Sequence, residues 1–223
     1  MRWPELSYVS VDDFIVAQAA GRNVLHLGCA GDYLDYGRDA VLHCRLGEVA
    51  KSLTGIEIQL ASLERVRSLL PEDTGGRIRY YQANVEDLDF LAGKTFDLVL
   101  AASIIEHLSN PGNMLRHFRR LCSPGGAVII VTPSPFGVLQ FMRVAIRRNE
   151  AANPEHTAYF SPAVLSELCR RYGLEATGWR TGYGWRPDSL AWRVKYAVGV
   201  PFFKIFPQLG GSLIGMFQPS VQR

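Results

Sequence analysis

The chain has 223 residues, of which 48% are hydrophobic and 20% charged, and this balance excludes a mainly disordered protein. A formal net charge of +3 is too small to indicate nucleic acid as a partner. The sequence has four cysteines without a C-x-x-C pair, no obvious secretory signal and no uncharged apolar run of about 18 residues. We therefore expect a reduced, cytoplasmic protein without a membrane-spanning helix.

Short apolar runs alternate with amphipathic segments, which is typical of βαβ units that fold into a parallel sheet. The predicted strands are residues 24–28, 55–58, 78–83, 96–101, 127–132, 174–180 and 212–218. The predicted helices are residues 38–53, 60–70, 111–121 and a helix that follows Ser161-Pro162 and ends near Tyr172. These elements predict an α/β, Rossmann-like, doubly wound and mainly parallel sheet of about seven strands, with helices on both faces.

The first predicted strand ends in small residues, with the sequence VLHLGCAG over residues 24–31. Small side chains let the backbone approach a ligand closely at the carboxyl end of a strand. The second strand ends near Glu57, whose carboxylate can accept hydrogen bonds from both hydroxyls of a ribose. A dinucleotide fingerprint would need a small residue in place of Tyr33, so the segment does not favour a dehydrogenase.

Three further segments follow in order: QANVE at residues 82–86, EHL at residues 106–108 and LCSPGG at residues 121–126. Together with the first two, they resemble the class I S-adenosylmethionine-dependent methyltransferases over about residues 23–180. The resemblance implies S-adenosylmethionine as the cofactor. The residues that it assigns to cofactor binding are Gly28, Cys29, Ala30, Gly31, Glu57, Ile58, Asn84, Val85 and Ser103.

Three positions depart from the family pattern. His26 stands in place of an acidic residue, Ala30 in place of the second glycine, and Asn84 in place of the acidic residue after the third strand. The carbonyl of Asn84 can still reach an adenine amino group. The resemblance divides a single domain over residues 1–223 into an N-terminal helical cap (1–22), a cofactor-binding core (23–132) and an acceptor side (133–223).

Methyl transfer from a sulfonium is an in-line displacement, so the protein mainly aligns the acceptor with the methyl group and excludes water. A hydroxyl acceptor must also lose its proton, and histidine is the side chain best suited to take it at neutral pH. His107 follows the fourth strand beside Glu106, and His156 lies in a polar loop after the fifth strand. We predict Glu106, His107 and His156 as catalytic residues, with either histidine as the base.

The other histidines have structural interpretations. We expect His26 to be buried in the first strand, and His117 to lie on a solvated helix face. For His43 we favour a position lining the first helix over an approach to the cofactor. The catalytic set together with Glu155 also offers ligands for a divalent metal such as Mg²⁺, which prefers oxygen, and the sequence leaves metal dependence open.

The acceptor is assigned by a further resemblance. The EHLSNP segment at residues 106–111 and the NPEHTAYFS segment at residues 153–161 look like those of methyltransferases of polysaccharide and glycan biosynthesis. This implies a saccharide or polysaccharide precursor as the acceptor of an O-methyl group. Aromatic and basic residues that suit sugar binding are Tyr159, Phe160, Tyr183, Trp185, Arg186 and Trp192. The alternatives are a small-molecule methyltransferase acting on a quinone or phenol, and a cofactor-binding protein that has lost catalysis.

Residues 190–206 predict an amphipathic helix broken by Pro201, with basic residues among aromatic ones. A peripheral membrane contact that serves a lipid-linked acceptor, a homodimer surface and a lid are all open interpretations of this segment. Nucleic acid is not favoured, because the basic helix faces at Arg116 and Arg143 lack accompanying aromatic residues for base stacking.

Overall fold

The computed structural model describes residues 4–31, 34–147, 153–183 and 199–220. Its strands are β1 (Leu6–Ser10), β2 (Asn23–Leu27), β3 (Ser52–Glu57), β4 (Ile78–Gln82), β5 (Phe96–Ala102), β6 (Cys122–Pro133), β7 (Leu174–Tyr183) and β8 (Ser212–Pro219). They form one sheet in the order β1-β7-β8-β6-β5-β2-β3-β4. Strand β8 is antiparallel to its neighbours β6 and β7, and the other pairs are parallel. The predicted α/β fold class is therefore confirmed.

The helices are α1 (Val11–Ala19), α2 (Leu42–Val49), α3 (Leu60–Leu69), α4 (Pro111–Leu121), α5 (Val138–Arg147) and α6 (Pro162–Arg171). Residues 199–205 are also helical. Local signals explain several ends: Pro111 and Pro162 each lie at the first helical position, where a missing N–H costs nothing. The Ser161 hydroxyl accepts a hydrogen bond from the amide of Val164 at 3.3 Å and so caps α6.

Alternate residues of the central strands face opposite layers of helices. Leu25 and Leu27 of β2 belong to the buried cluster that includes apolar residues of α4 and α6. Val24 belongs to the other cluster, to which α1, α2 and α3 contribute. Side chains of a strand alternate between its faces, so a strand buried on both sides needs apolar residues throughout. This is why the central strands are continuous apolar runs.

The amino-terminal region differs from the prediction. Residues 1–22 were expected to be a helical cap, but residues 6–10 form β1, which pairs in parallel with β7 at the edge of the sheet. Only the following α1 is helical. A five-residue edge strand acquires its hydrogen bonds from a segment about 170 residues away in sequence, so it carries little local signal. The predicted division of one domain into three parts stays a prediction.

One helix is shorter than predicted, and another is described only in part. The helix expected over residues 38–53 is α2 alone, because Ser52 and Leu53 pair with Asn23 and Val24 as the start of β3. Of the segment 190–206, residues 190–198 lie outside the described part of the chain. Pro201 lies within the helical residues 199–205, so the predicted break at this proline is not observed there.

Within the described ranges, no helix combines the length and apolar character needed to cross a membrane.

Candidate functional site

The predicted site residues gather at the carboxyl ends of the parallel strands. The chain leaves β2 toward β3 and β4 on one side, and later adds β5 and β6 on the other side of β2. This reversal of strand order opens a crevice at the carboxyl ends of β2 and β5, where doubly wound folds bind their ligands. Gly28 follows β2, Glu57 ends β3 and Ser103 follows β5, so all three border this crevice.

The loop after β2 requires glycine. Gly28 has a φ of +68° and Gly31 a φ of +24°, both in the left-handed region. A Cβ added at Gly28 would lie 3.1 Å from the Cδ1 atom of Ile104, so the loop also packs closely against the segment after β5. The amides of Gly28 and Cys29 both donate to the carbonyl of Ile56, at 2.9 and 3.1 Å. The loop is therefore held to β3 and leaves no side chain at its first position.

Cys29 does not offer its side chain to the crevice. The residue is 1% exposed, and burial raises the pKa of its thiol. Its sulfur packs against Gly55 of β3, where an added Cβ would come within 2.8 Å of the Sγ atom. With its amide bonded to Ile56, Cys29 retains only its backbone carbonyl for a cofactor contact.

The Glu57 carboxylate is fixed by backbone amides. Its Oε1 atom accepts from the amides of Ile58 and Gln59, both at 3.0 Å, just before α3 begins. Its Oε2 atom lies 3.4 Å from the amide of Ala30, which ties β3 to the glycine loop. A carboxylate beside a helix N-terminus is electrostatically favoured there. Oε1 already accepts two hydrogen bonds, whereas Oε2 accepts one and has a lone-pair site left, so the group is oriented in advance to accept a further hydrogen bond from a ligand hydroxyl.

Apolar surface lies next to this carboxylate. Ile58 is 56% exposed and Leu60 is 49% exposed, although both are aliphatic. A fixed hydrogen-bond acceptor beside exposed aliphatic side chains suits a nucleoside, whose ribose is polar and whose base has flat apolar faces. These residues therefore fit the adenosine part of S-adenosylmethionine.

Asn84 and Val85 follow β4 on the same edge. The Oδ1 atom of Asn84 accepts from the amide of Glu86 at 2.9 Å, so the carbonyl that was expected to meet adenine is partly used by the local turn. One lone pair of this oxygen and the amide group remain for a ligand. Val85 is buried in the core cluster beneath, so its side chain supports the loop.

Ser103 has an unusual backbone. Its φ is +52°, and no other non-glycine residue in the described part of the chain has a positive φ. Its amide donates to the carbonyl of Val131 at 2.9 Å, which holds the turn against β6. Such conformations are costly for a residue with a Cβ and are concentrated at functional sites.

The structure brings the three predicted catalytic residues together. The rings of His107 and His156 are 4.7 Å apart between centroids and nearly perpendicular. Glu106, His107 and His156 each offer one ligand atom, and these atoms all lie within 4.8 Å of one another. The Glu106 residue is 1% exposed, whereas the His107 side chain is 27% exposed. The cluster thus has a buried carboxylate behind two imidazoles that solvent can reach.

A loop closure produces this cluster. Thr157 donates from its amide to the carbonyl of Glu106 at 2.7 Å, and from its hydroxyl to the carbonyl of Leu108 at 2.8 Å. These bonds dock the loop that contains His156 onto the short helical turn Ile105–His107. Glu155, which was considered as a metal ligand, lies 3.9 Å from the Nδ1 atom of His107 and is exposed.

His26 and His43 form a separate buried pair. Their Nδ1 atoms are 3.0 Å apart, so one nitrogen donates and the other accepts. Burial lowers the pKa of His26 to about 3 and that of His43 well below its ordinary value. His26 is therefore buried in β2, the first of the predicted strands, as expected, and it hydrogen-bonds to His43. His43 belongs to α2, which agrees with the interpretation favoured for it.

The expectation for His117 is wrong. It was placed on a solvated helix face, but it is 2% exposed. The amide of Leu88 donates to its Nε2 atom at 3.3 Å, and the Arg120 guanidinium lies 2.8 Å from its Nδ1 atom. The turn Asp89–Leu91 covers this face of α4, so the histidine satisfies a loop amide.

The aromatic residues expected at the acceptor mouth divide into three groups. Tyr159 lies near the cluster, with its ring 5.9 Å from that of His156. Phe160 is buried in the core, and Tyr183 contacts Tyr8 at the sheet edge. Trp185, Arg186 and Trp192 lie outside the described residues.

Comparison with curated proteins gives relatives of low identity. The chain is 26% identical over 191 residues to the ubiquinone biosynthesis O-methyltransferase of Nitrosococcus oceani, covering 83% of this chain and 77% of that one. It is 28% identical over 169 residues to the enzyme of the same name from Bordetella avium, covering 72% and 65%. A probable S-adenosylmethionine-dependent methyltransferase of Mycolicibacterium smegmatis is 28% identical over 158 residues, covering 71% and 54%. The chain thus spans between about half and about three quarters of these relatives' lengths.

Solved structures share the fold. The N-methyltransferase NodS from Bradyrhizobium japonicum superposes with a TM-score of 0.59 at 13% identity, covering 94% of each chain. The CcbJ methyltransferase from Streptomyces caelestis superposes with a TM-score of 0.60 at 17% identity, covering 94% of this chain and 88% of that one.

The family model described as "Methyltransferase domain" matches residues 10–177. This match spans well over half of the chain and contains the glycine loop, Glu57, His107 and His156. The chain therefore belongs to the methyltransferase domain family and is a class I S-adenosylmethionine-dependent methyltransferase.

Proposed function

We propose that this protein transfers a methyl group from S-adenosylmethionine to a hydroxyl of a small phenolic or quinol acceptor, with His107 or His156 as the base. The observation that carries the proposal is the cluster of two imidazoles and a buried carboxylate at the edge of the sheet that also carries the glycine loop. The sequence favoured a saccharide acceptor and kept a quinone or phenol as the alternative. The names of two relatives, which refer to ubiquinone biosynthesis, support that alternative.

The cofactor supplies a methyl group activated on a positively charged sulfur. On the protein side, Glu57 would accept a hydrogen bond from the ribose, and the backbone at Gly28 would leave room for the ligand beside it. The exposed side chain of Ile58 would offer aliphatic surface to the adenine. Such contacts would orient the cofactor, and orientation is the larger part of catalysis in such a displacement.

A phenolic acceptor matches the strength of a histidine base. The ordinary pKa values of a phenol and an imidazole differ by about 3.5 units, so moving the proton between them costs about 5 kcal/mol before any help from the site. The buried Glu106 carboxylate lies within 4.8 Å of ligand atoms of both histidines. An ionised Glu106 carboxylate at this distance would stabilise the imidazolium that forms, which gives Glu106 a positioning and charge-stabilising role in this proposal.

A divalent metal at the same cluster is the second candidate. Two imidazole nitrogens and one carboxylate oxygen within 4.8 Å of one another could hold one ion, and this donor set suits Zn²⁺ or Mn²⁺ better than Mg²⁺. A bound metal would lower the pKa of an acceptor hydroxyl, and the histidines would then be ligands and could not serve as the base. The two candidates therefore make different predictions for a chelator.

The test is methyl transfer by the full chain. Labelled S-adenosylmethionine is incubated with a catechol, a short-chain quinol and a set of mono- and disaccharides. We expect label in the catechol or quinol, and a fall in kcat of about 10²-fold or more in His107→Ala or His156→Ala, with cofactor affinity unchanged. Glu175→Gln, which removes an exposed carboxylate near the start of β7 and away from this cluster, is the control and should retain most of the turnover.

Three outcomes would decide against parts of the proposal. Label that enters only saccharides would restore the acceptor class favoured by the sequence. Near-normal turnover in both histidine variants would remove the base assignment. Loss of activity in EDTA that added Zn²⁺ or Mn²⁺ restores would replace the free base with a metal site, whereas activity unchanged by EDTA supports the base.

A further inference from the structure

Exposed apolar side chains are concentrated in two segments of the fold. Twelve large apolar residues are exposed among the described residues, and eight of them belong to residues 136–146 or 202–206. The largest exposed fractions are those of Ile205 at 70%, Ile146 at 69% and Phe141 at 68%. Single exposed apolar residues are common on soluble proteins, but a concentration of this kind marks a surface that contacts something.

Both segments lie at the edge of the sheet that holds the candidate active site. Helix α5 follows the carboxyl end of β6, whose last residue, Pro133, pairs with Ser212 at the start of β8. The helix over residues 199–205 leads into that same end of β8. The two connections touch, because the amide of Ser134 donates to the carbonyl of Gly211 at 2.9 Å. Strand β6 is also the neighbour of β5, after which His107 follows.

The charged residues within these two helices have one sign. Helix α5 contains the arginines at positions 143 and 147, and residues 199–205 contain Lys204. Neither helix contains an aspartate or a glutamate. Apolar residues accompanied only by cations are typical of segments that lie on an anionic membrane surface.

We propose that α5 and the helix over residues 199–205 form one docking surface for an anionic lipid bilayer. The charges argue for this occupant over a second copy of the chain, because two such surfaces facing each other would bring cations together without any acidic partner. The exposed apolar side chains would enter the interfacial region of the bilayer while the basic side chains meet the lipid headgroups.

Docking at this edge has a consequence for the acceptor, which rests on the proposed function. A phenol or quinol with a lipid tail partitions into the bilayer, and a protein docked by its carboxyl edge presents the histidine cluster to that acceptor. Binding to lipid is itself independent of the methyl acceptor, so it can be measured without turnover.

The test is co-sedimentation of the full chain with vesicles of phosphatidylcholine alone or with about 30% phosphatidylserine. We expect about tenfold or greater preference for the anionic vesicles and a loss of binding in about 0.5 M NaCl. Phe141→Glu with Ile146→Glu, and separately Ile205→Glu, should weaken binding about tenfold or more, because each puts a negative charge on the apolar surface. All three positions are largely exposed, so these variants should fold.

Val164→Glu is the matched control, since Val164 is 54% exposed on α6, outside the two segments, and its substitution should leave vesicle binding unchanged. Methylation of a water-soluble catechol should be the same in all these variants. The proposal is overturned if the wild-type chain does not bind anionic vesicles, or if the α5 variant and Ile205→Glu bind them as well as the wild type. It is also overturned if sedimentation shows a dimer that these substitutions dissociate. If the wild type does not methylate the catechol, the proposed function is contradicted, but the result on lipid binding still holds.

Discussion

The buried pair of His26 and His43 makes stability depend on pH in a way that two substitutions can isolate. The two Nδ1 atoms are 3.0 Å apart, and burial lowers the pKa of His26 to about 3 and that of His43 well below its ordinary value. Both rings are therefore neutral in the folded protein at mildly acidic pH, whereas the unfolded chain protonates them with an ordinary pKa of about 6.5. The stabilising contribution is present above that pKa and is lost as the pH falls below it.

The size of the effect follows from this difference. Protonation of one histidine stabilises the unfolded chain by about 2 kcal/mol at about pH 5 and by almost nothing at about pH 7.5. The pair should therefore remove about 4 kcal/mol from the free energy of unfolding between these two pH values. That is a large share of the about 5–15 kcal/mol that holds a domain of this kind together.

The assay is urea unfolding followed by far-UV circular dichroism at both pH values. His43→Phe and His26→Phe should each reduce the pH-dependent loss by about 2 kcal/mol, and the double variant by about 4 kcal/mol. At the higher pH, each single variant should lose about 1–3 kcal/mol, because one buried ring nitrogen loses its partner. Identical pH dependence in the wild type and the double variant would refute the reasoning, since it would mean that the folded protein protonates these rings as readily as the unfolded chain does.

Two further substitutions test the framework of the site. Gly28→Ala should lower cofactor affinity, measured by calorimetry, about tenfold or more. The position has a φ of +68°, and the new methyl group would lie 3.1 Å from the Cδ1 atom of Ile104. Unchanged affinity would remove this loop from the site. Asp97→Ala should lower the free energy of unfolding in urea by about 1–3 kcal/mol and leave cofactor affinity intact. The carboxylate accepts hydrogen bonds from the amide and side chain of Asn23 and from the Ser123 hydroxyl, all at the opposite edge of the sheet. A loss of affinity at equal stability would contradict that separation. The backbone hydrogen bond from Asn23 lowers the pKa of Asp97, so this contribution should fade as the pH falls through that lowered pKa.

Much of the fold could be predicted because its signals are local. The helix over residues 111–121 begins at a proline and was assigned with the same bounds that the structure has. Apolar runs located the inner strands, since strands buried on both faces need apolar residues at every position. The glycine loop and Glu57 were found because each ends such a strand.

The features that were missed depend on partners distant in sequence. Strand β1 exists because β7 supplies its hydrogen bonds, and its own five residues carry no distinctive pattern. His117 has a polar, arginine-rich neighbourhood in sequence, yet the turn after Asp87 covers it. The sequence predicted that His107 and His156 belong to one site, but not that their rings are in contact. That contact depends on Thr157, which docks one loop onto the other. No local pattern encodes such a closure.

The most direct measurement of the central claim is a calorimetric titration of S-adenosylhomocysteine into the wild type, Glu57→Gln and Glu64→Gln. Glutamine keeps a carbonyl oxygen for the amides before α3, so Glu57→Gln should fold normally while it loses the charge that meets the ribose. One hydrogen bond to a charged group, worth about 1.5–3 kcal/mol, predicts an affinity about 10- to 100-fold lower than that of the wild type. Glu64→Gln removes an exposed charge from the same helix and should bind as the wild type does. Equal affinity in all three proteins, or no binding by the wild type, would contradict a cofactor site at the carboxyl edge of this sheet.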